Sequence, residues 1–190
     1  VLSDRATVLI TLTAVNDAPI AFAATVTTEE DINYGGLVSA FDIDNDPLTY
    51  SLLTDPSHGT VAITDSSSGT YTYSPKVNYN GSDSFTFTSS DGTLSDTSKV
   101  LITVSAVNDV PIAHALEIGT YEDTEYSGSV SGFDVENDIL TYNILTNPSN
   151  GTVSIKNSTL GTFTYSPTIN YNGDDSFTFT INDSNYSDTA

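Results

Sequence analysis

The sequence predicts an all-β protein, built as tandem seven-stranded Greek-key β-sandwiches. Three observations carry that expectation. Apolar and polar residues alternate with period two along most of the chain, and no stretch shows a convincing helical period. Turn-forming pairs break the alternation at intervals of roughly 8–12 residues, the spacing of short strands in a sandwich. The pattern then repeats without insertion or deletion: Val15-Asn16-Asp17 returns as Val107-Asn108-Asp109, an offset of 107 − 15 = 92 residues.

Taken in order, the first module is expected to hold strands at about 20–28, 36–41, 48–54, 59–64, 69–74, 84–90 and 98–105. The separating turns are Gly35-Gly36, Asp46-Pro47, Ser57-His58-Gly59, Ser68-Gly69, Asn80-Gly81 and Asp91-Gly92. Val61 with Ile63, Tyr71 with Tyr73, and Phe85 with Phe87 are same-face pairs two residues apart, and core packing between two sheets is their expected role. The 92-residue offset carries Gly59-Thr60-Val61 to Gly151-Thr152-Val153 and Tyr73-Ser74-Pro75 to Tyr165-Ser166-Pro167. It also carries Asp83 through Thr88 to Asp175 through Thr180.

The phase of the repeat sets the expected domain organisation. Residues 1–14 match 93–106, so they read as the last strand of a preceding module or as a donor strand. Residues 15–106 make one complete module, and residues 107–190 a second that stops just before its own last strand. With no starting Met and no visible leader, the chain reads as an interior or processed fragment.

Composition narrows the function. Twenty-five acidic residues face four basic ones, for a formal charge of −21. Such a chain lacks the basic patch that phosphate neutralisation requires, so nucleic acid is not an expected partner. Anionic lipid surfaces would repel it, and no apolar run approaches the roughly 20 residues that cross a bilayer as a helix. The absence of Cys removes disulfides and thiolate metal sites. His58 and His114 fall opposite Asn150 and Phe22 in the repeat, so no imidazole recurs as a duplicated catalytic or metal group would. No nucleophile–base constellation emerges either, and the chain is not expected to be an enzyme.

The acids cluster where strands end. The first module gathers Asn16-Asp17, Glu30-Asp31, Asp42-Ile43-Asp44-Asn45-Asp46, Asp83 and Asp91. The second repeats them as Asn108-Asp109, Glu122-Asp123, Asp134-Val135-Glu136-Asn137-Asp138, Asp175 and Asp183. Glu29 becomes Tyr121, which marks it as bystander surface. Strand ends converge at the poles of a sandwich, and carboxylates near 4 Å repel by about 1 kcal/mol per pair in water and about 4 kcal/mol when partly shielded. A hard divalent cation relieves that repulsion, and an all-oxygen donor set suits Ca²⁺. Asp42-x-Asp44-x-Asp46 does not open an EF-hand, because Pro47 stands at the turn glycine and Leu53 at the twelfth position.

Val15-Asn16-Asp17-Ala18-Pro19, Phe41 through Leu52, Gly59-Thr60-Val61 and Tyr79 through Phe87 together resemble the cadherin-like tandem repeats of large microbial surface proteins and adhesins. The resemblance spans essentially the whole chain. It implies cadherin/Ig-like sandwiches, head-to-tail stacking and calcium held between modules. Carried over, it makes Asn108 and Asp109 the linker ligands, Glu30 the acidic ligand of the upstream module, Asp134 and Glu136 the Asp-x-Asp of the downstream one, and Asp183 the ligand near its sixth strand. The remaining equivalents are Asn16, Asp17, Asp42, Asp44 and Asp91, with Glu122 matching Glu30. The linker is shorter than in animal cadherins and the Asp-Arg-Glu motif is missing, which points to one or two ions per junction.

Three functions compete at this stage. The first is a calcium-stiffened structural repeat of an extracellular adhesin or surface stalk, partnered by neighbouring modules. The second is a self-assembling extracellular filament subunit, in which residues 1–14 complete the second module of a neighbouring molecule. The third is a carbohydrate-binding module that meets a cell-surface glycan through Tyr34 and Tyr126.

Overall fold

A computed structural model describes residues 4–190, and residues 1–3 of the expected first strand lie outside the described residues. The chain divides into two compact units, Val1–Ala106 and Val107–Ala190. Every described element is a strand.

The first unit contains β1 (Ile20–Ala21), β2 (Ala24–Glu29), β3 (Tyr34–Leu37), β4 (Ala40–Phe41), β5 (Thr49–Thr54), β6 (Gly59–Asp65), β7 (Thr70–Pro75), β8 (Gly81–Ser90) and β9 (Ser95–Ser105). One sheet runs β2-β9-β8-β5 and the other β3-β7-β6, while β1 and β4 pair by themselves. The first two expected strands are therefore each split. Ile20 pairs with Phe41, but Ala24 through Glu29 run parallel to Val100 through Ser105. Alternation alone does not reveal this, because a strand that changes partners keeps its period of two.

Alternating burial on β7, β8 and β9 builds the core. Tyr71, Tyr73, Phe85, Phe87, Val100, Ile102 and Val104 are all buried. The Tyr71 and Phe85 rings meet edge to face at 5.0 Å between centroids, a geometry that adds about 0.5–1.5 kcal/mol to the area they bury. Gly69 turns the chain from β6 into β7 at φ 79°, and a Cβ there would press on the Val38 carbonyl oxygen.

The second unit contains β10 (Ile112–His114), β11 (Tyr126–Ser129), β12 (Ser131–Phe133), β13 (Thr141–Thr146), β14 (Gly151–Asn157), β15 (Thr162–Pro167), β16 (Thr178–Asn182) and β17 (Ser187–Thr189). Its sheets are β13-β16-β17 and β11-β15-β14, with β10 paired to β12. The short β17 supplies the opening residues of the last strand, which the sequence places just beyond Ala190, and it pairs with β16 from Thr180 to Asn182. Residues 116–121, the counterparts of β2, form no strand, and neither do residues 173–177, the counterparts of the first half of β8. Residues 4–14 form no strand either, although they share their sequence pattern with β9. A strand exists only through a partner's N–H and C=O groups, and among the described residues none of these segments is paired in a ladder.

Candidate metal centre

In the first unit, Asn16 and Asp17 lead the chain onto the sandwich and tie two loops together. Asn16 Nδ2 donates to Asp91 Oδ2 at 2.8 Å and to Thr93 Oγ1 at 3.0 Å. The Asp17 amide donates to Asp44 Oδ2 at 2.8 Å. Asp91 sits at the β8–β9 turn, where its Oδ1 accepts the Thr93 and Leu94 amides at 2.6 and 2.7 Å. The Leu94 amide, followed by the Asn16 side chain and the Thr93 amide, holds the Asp91 carboxyl well below the usual carboxylate range.

The loop after β4 folds around Asp42. Its Oδ1 accepts the amides of Asp44 at 2.9 Å and Asp46 at 3.2 Å. Asn45 makes the tight return possible by taking the left-handed conformation at φ 61°, which Asn tolerates better than most residues. Asp42 is only 5% exposed, and its Oδ2 is buried without a hydrogen-bond partner among the described residues. Asp42, Asp44 and Asp46 each bring a carboxylate oxygen within 4.8 Å of the others.

The second unit repeats the entry and turn contacts, while among the described residues the three-carboxylate cluster is found in the first unit alone. Asn108 Nδ2 donates to Asp183 Oδ2 at 2.8 Å, and the Asp109 amide donates to Glu136 Oε2 at 3.0 Å. Asp183 Oδ1 accepts the Asn185 and Tyr186 amides, both at 2.6 Å, and the Tyr186 amide is the largest influence lowering its pKa. Asp134 Oδ1 accepts the Asp138 amide at 2.9 Å. Asp134 Oδ2 and Glu136 Oε1 are buried without hydrogen-bond partners among the described residues.

Each unit thus gathers the expected entry pair, the Asp-x-Asp/Glu loop and the turn aspartate at one pole. Glu30 and Glu122 are not part of these groups. Glu29 pairs with Ser105 and the Glu30 amide donates to the Ser105 carbonyl, at the end of β9 far from the Asp91 turn. At about 3.3 Å per residue, the length of β9 places Glu30 roughly 30 Å along the sheet from that turn. Glu30 is 1% exposed, whereas Glu122 is exposed. Asp46 joins the first cluster although its side chain is not among the expected ligands. The signal was the continued period-two run of Asp42, Asp44 and Asp46, with Asn45, suited to a left-handed turn, inside it.

Asp83 and Asp175 serve a different purpose. Asp83 accepts the Ser57, His58 and Ser84 amides and the Tyr73 hydroxyl, all between 2.8 and 3.0 Å. Asp175 accepts the matching set from Ser149, Asn150, Ser176 and Tyr165. With both oxygens occupied by donors, these carboxylates latch strands together and leave little for an ion. Burial and then the hydrogen bond to Asp175 push the Tyr165 hydroxyl up to about 12. Tyr34 and Tyr126 are half-buried and tilt against Tyr71 and Phe163, as edge-packing residues do.

The donor chemistry fits a hard divalent cation. A buried carboxylate oxygen without a partner costs on the order of 1–3 kcal/mol or more. Oxygens within 4.8 Å of one another repel by about 1 kcal/mol per pair in water and about 3–4 kcal/mol in a partly shielded site. Coordination of Ca²⁺ by carboxylate and amide oxygens removes both costs.

Comparison with known proteins agrees with the fold. Residues 16–106 match the bacterial cadherin-like domain, and residues 108–190 match a bacterial Ig domain. No curated protein matches the chain. Among solved structures, human protocadherin-24 EC1-2 is similar at 18% identity and a TM-score of 0.56, covering 88% of this chain and 87% of that one. Drosophila N-cadherin EC1-4 is similar at 16% identity and a TM-score of 0.59, covering 92% of this chain and 48% of that one. An endo-fucoidan hydrolase of glycoside hydrolase family 107, MfFcnA4, aligns at 26% identity and a TM-score of 0.45; the chain spans only 28% of that protein. The chain is a tandem of cadherin-like and Ig-like β-sandwich domains. These two families are typically non-enzymatic and typical of extracellular or surface proteins, and no described helix is long and apolar enough to cross a membrane.

Proposed function

We propose that this tandem is a calcium-stiffened structural repeat of an extracellular adhesin or surface stalk. The observation that carries the reading is the buried Oδ2 of Asp42, without a hydrogen-bond partner among the described residues and inside a three-carboxylate group, with buried oxygens of Asp134 and Glu136 likewise without partners at the equivalent loop of the second unit. The ligands are Asp42, Asp44 and Asp46 in one unit and Asp134 and Glu136 in the other, with Asn16, Asp17 and Asp91, and Asn108, Asp109 and Asp183, fixing the surrounding frame. Glu30 and Glu122 remain proposed ligands toward a neighbouring module.

Stiffening follows from where the site lies in the chain. Asn16-Asp17 and Asn108-Asp109 are the segments by which the chain enters each unit, and both are bonded to the carboxylates in question. An ion that rigidifies the Asp42 loop also pins the entry segment, which in a one-dimensional array is the hinge. Extracellular modules use sites with Kd on the order of 10⁻⁴ to 10⁻³ M, adequate where calcium is plentiful.

Calcium titration by calorimetry, with thermal unfolding alongside, tests the reading. At ten times Kd each site adds about 1.4 kcal/mol, which raises the melting temperature of a domain this size by roughly 6–11 °C. Asp42→Asn together with Asp134→Asn should abolish most of the heat while leaving the calcium-free melting temperature equal or higher. A wild-type chain with no calcium heat, and a melting temperature that chelator leaves unmoved, would overturn it.

A further inference from the structure

We propose that the first unit binds a sugar carrying a single anionic group, in a cleft beside the connection from β5 to β6. The cleft opens to solvent, measures about 290 Å³, and is lined by Ser57, His58, Ser84, Lys99 and Leu101 together with the buried Asp83.

Charge singles this cleft out. Residues 15–106 contain twelve carboxylates and three side chains that can carry a positive charge, His58, Lys76 and Lys99. All three meet here. His58 and Lys99 line the cleft, and the Lys76 ammonium donates at 2.9 Å to the carbonyl of Ser57, another lining residue. Among the described residues neither lysine is paired with a carboxylate. Lys76 keeps further donors after its bond to Ser57, because an ammonium has three. Lys99 stands opposite Thr86, with Ser84 and Thr88 as its diagonal neighbours on β8. Asp83 already accepts the Ser57, His58 and Ser84 amides and the Tyr73 hydroxyl. The two ammonium groups are therefore left to face an incoming anion.

The imidazole is held in place before any ligand arrives. The His58 ring stacks flat on Tyr79 at 4.1 Å between centroids, and the Tyr79 hydroxyl donates to the Ser82 carbonyl at 2.8 Å. The His58 amide donates to Asp83 at 3.0 Å, and its carbonyl accepts the Lys76 amide at 2.8 Å. Little side-chain freedom remains to be lost on binding. The second unit supplies the comparison. Asp83 recurs as Asp175, and Tyr79 recurs as Tyr171 with its hydroxyl on the Asp174 carbonyl at 2.7 Å. His58, Lys76 and Ser82, by contrast, become Asn150, Thr168 and Asp174. The scaffold of the cleft is duplicated and its cations are not, so folding a module does not require them.

The lining sets the class of ligand. β8 and β9 are interior strands of the sheet β2-β9-β8-β5, so their main-chain groups are spent and an acidic peptide has no edge here to extend. Recognition falls to side chains: two ammonium groups, the imidazole, the serine hydroxyls and one apolar contact from Leu101. That set suits a carboxylate or sulfate group beside sugar hydroxyls. The formal charge of −21 repels a polyanion, which restricts the ligand to a glycan whose acidic group stands alone. The site names a ligand class for the surface role proposed above and uses none of the residues assigned to calcium.

The test is an NMR titration of the full chain in calcium-free buffer with glucuronate, glucose 6-sulfate, glucose and acetate. At least one of the two anionic sugars should shift the Ser57, His58 and Lys99 amide signals with saturation in the millimolar range, and the better of them identifies the anionic group. Glucose and acetate should each bind about tenfold more weakly than that sugar, as loss of a charge-assisted contact predicts. Lys99→Gln alters an exposed side chain, and His58→Asn with Lys76→Thr installs the residues of the second unit. Each variant should keep the wild-type spectrum elsewhere and weaken binding of the sugar about tenfold. No saturable shift at these amides with either anionic sugar overturns the proposal. So does glucose or acetate binding as tightly as the anionic sugars, or a pair of variants that bind as well as wild type. Since no calcium is present, failure here leaves the calcium reading intact, and failure of calcium binding leaves this one.

Discussion

At the scale of single residues, the two units pack the same position in two ways. Ser89 is fully buried in the first unit, and its counterpart is Ile181, also fully buried. The residue opposite changes in step, from Ala40 to Gly132. A Cβ on Gly132 would stand 2.5 Å from Ile181 Cδ1 and 2.9 Å from the Ile112 carbonyl oxygen. The added side-chain volume in one strand is thus matched by a lost methyl in another. Gly132→Ala should cost about 1–3 kcal/mol by overpacking. Combined with Ile181→Ser, which restores the pair found in the first unit, it should cost clearly less than the sum of the two single changes. Denaturant unfolding of the four variants measures the coupling, and additivity within about 0.5 kcal/mol would refute it.

At the scale of elements, the Asp83 and Asp175 latches hold together what the ladders do not. One carboxylate joins the Ser57-His58 connection after β5, the Tyr73 hydroxyl on β7 and the start of β8. These belong to different sheets, so the latch closes one end of the sandwich. Asp83→Ala leaves a buried hydroxyl and several amides short of an acceptor, and should lower stability by at least about 2 kcal/mol. The loss should be the same with and without calcium, because the carboxylate has no free oxygen to offer. A loss that calcium restores, read by chemical unfolding in both conditions, would move Asp83 into the metal site.

At the scale of the whole molecule, 25 acidic residues against four basic ones make acid response a property of the chain. Asp91 and Asp183 are held below their ordinary pKa by the amides of Leu94 and Tyr186, and Asp65 is lowered to about 2 by the Ser67 hydroxyl and amide. A carboxylate whose pKa is lower folded than unfolded adds stability that is complete above the unfolded value, about 3.9, and vanishes as pH falls through the folded value. Stability from these groups should therefore hold constant through mildly acidic pH and be lost below roughly pH 4. Asp91→Asn should flatten the acid limb of the first unit. An unchanged limb, followed by unfolding at stepped pH, would remove Asp91 from this account.

Much of this was determined by sequence alone. Period-two alternation and the 92-residue offset reach the β-sandwich class, the core pairs such as Phe85 with Phe87, and the clustering of acids at strand ends, because these depend on local pattern and its repetition. Only the tertiary structure decided which acids act together. Asp42, Asp83 and Glu30 look alike in sequence, yet one keeps a bare buried oxygen, one is saturated by donors and one lies at the far end of β9. The same holds for strands: residues 4–14 and 95–105 share a pattern, but only the second is a strand. The physical reason is common to both cases. A carboxylate's role and a strand's existence depend on hydrogen-bond partners brought from distant parts of the chain, and the chain's own periodicity does not name those partners.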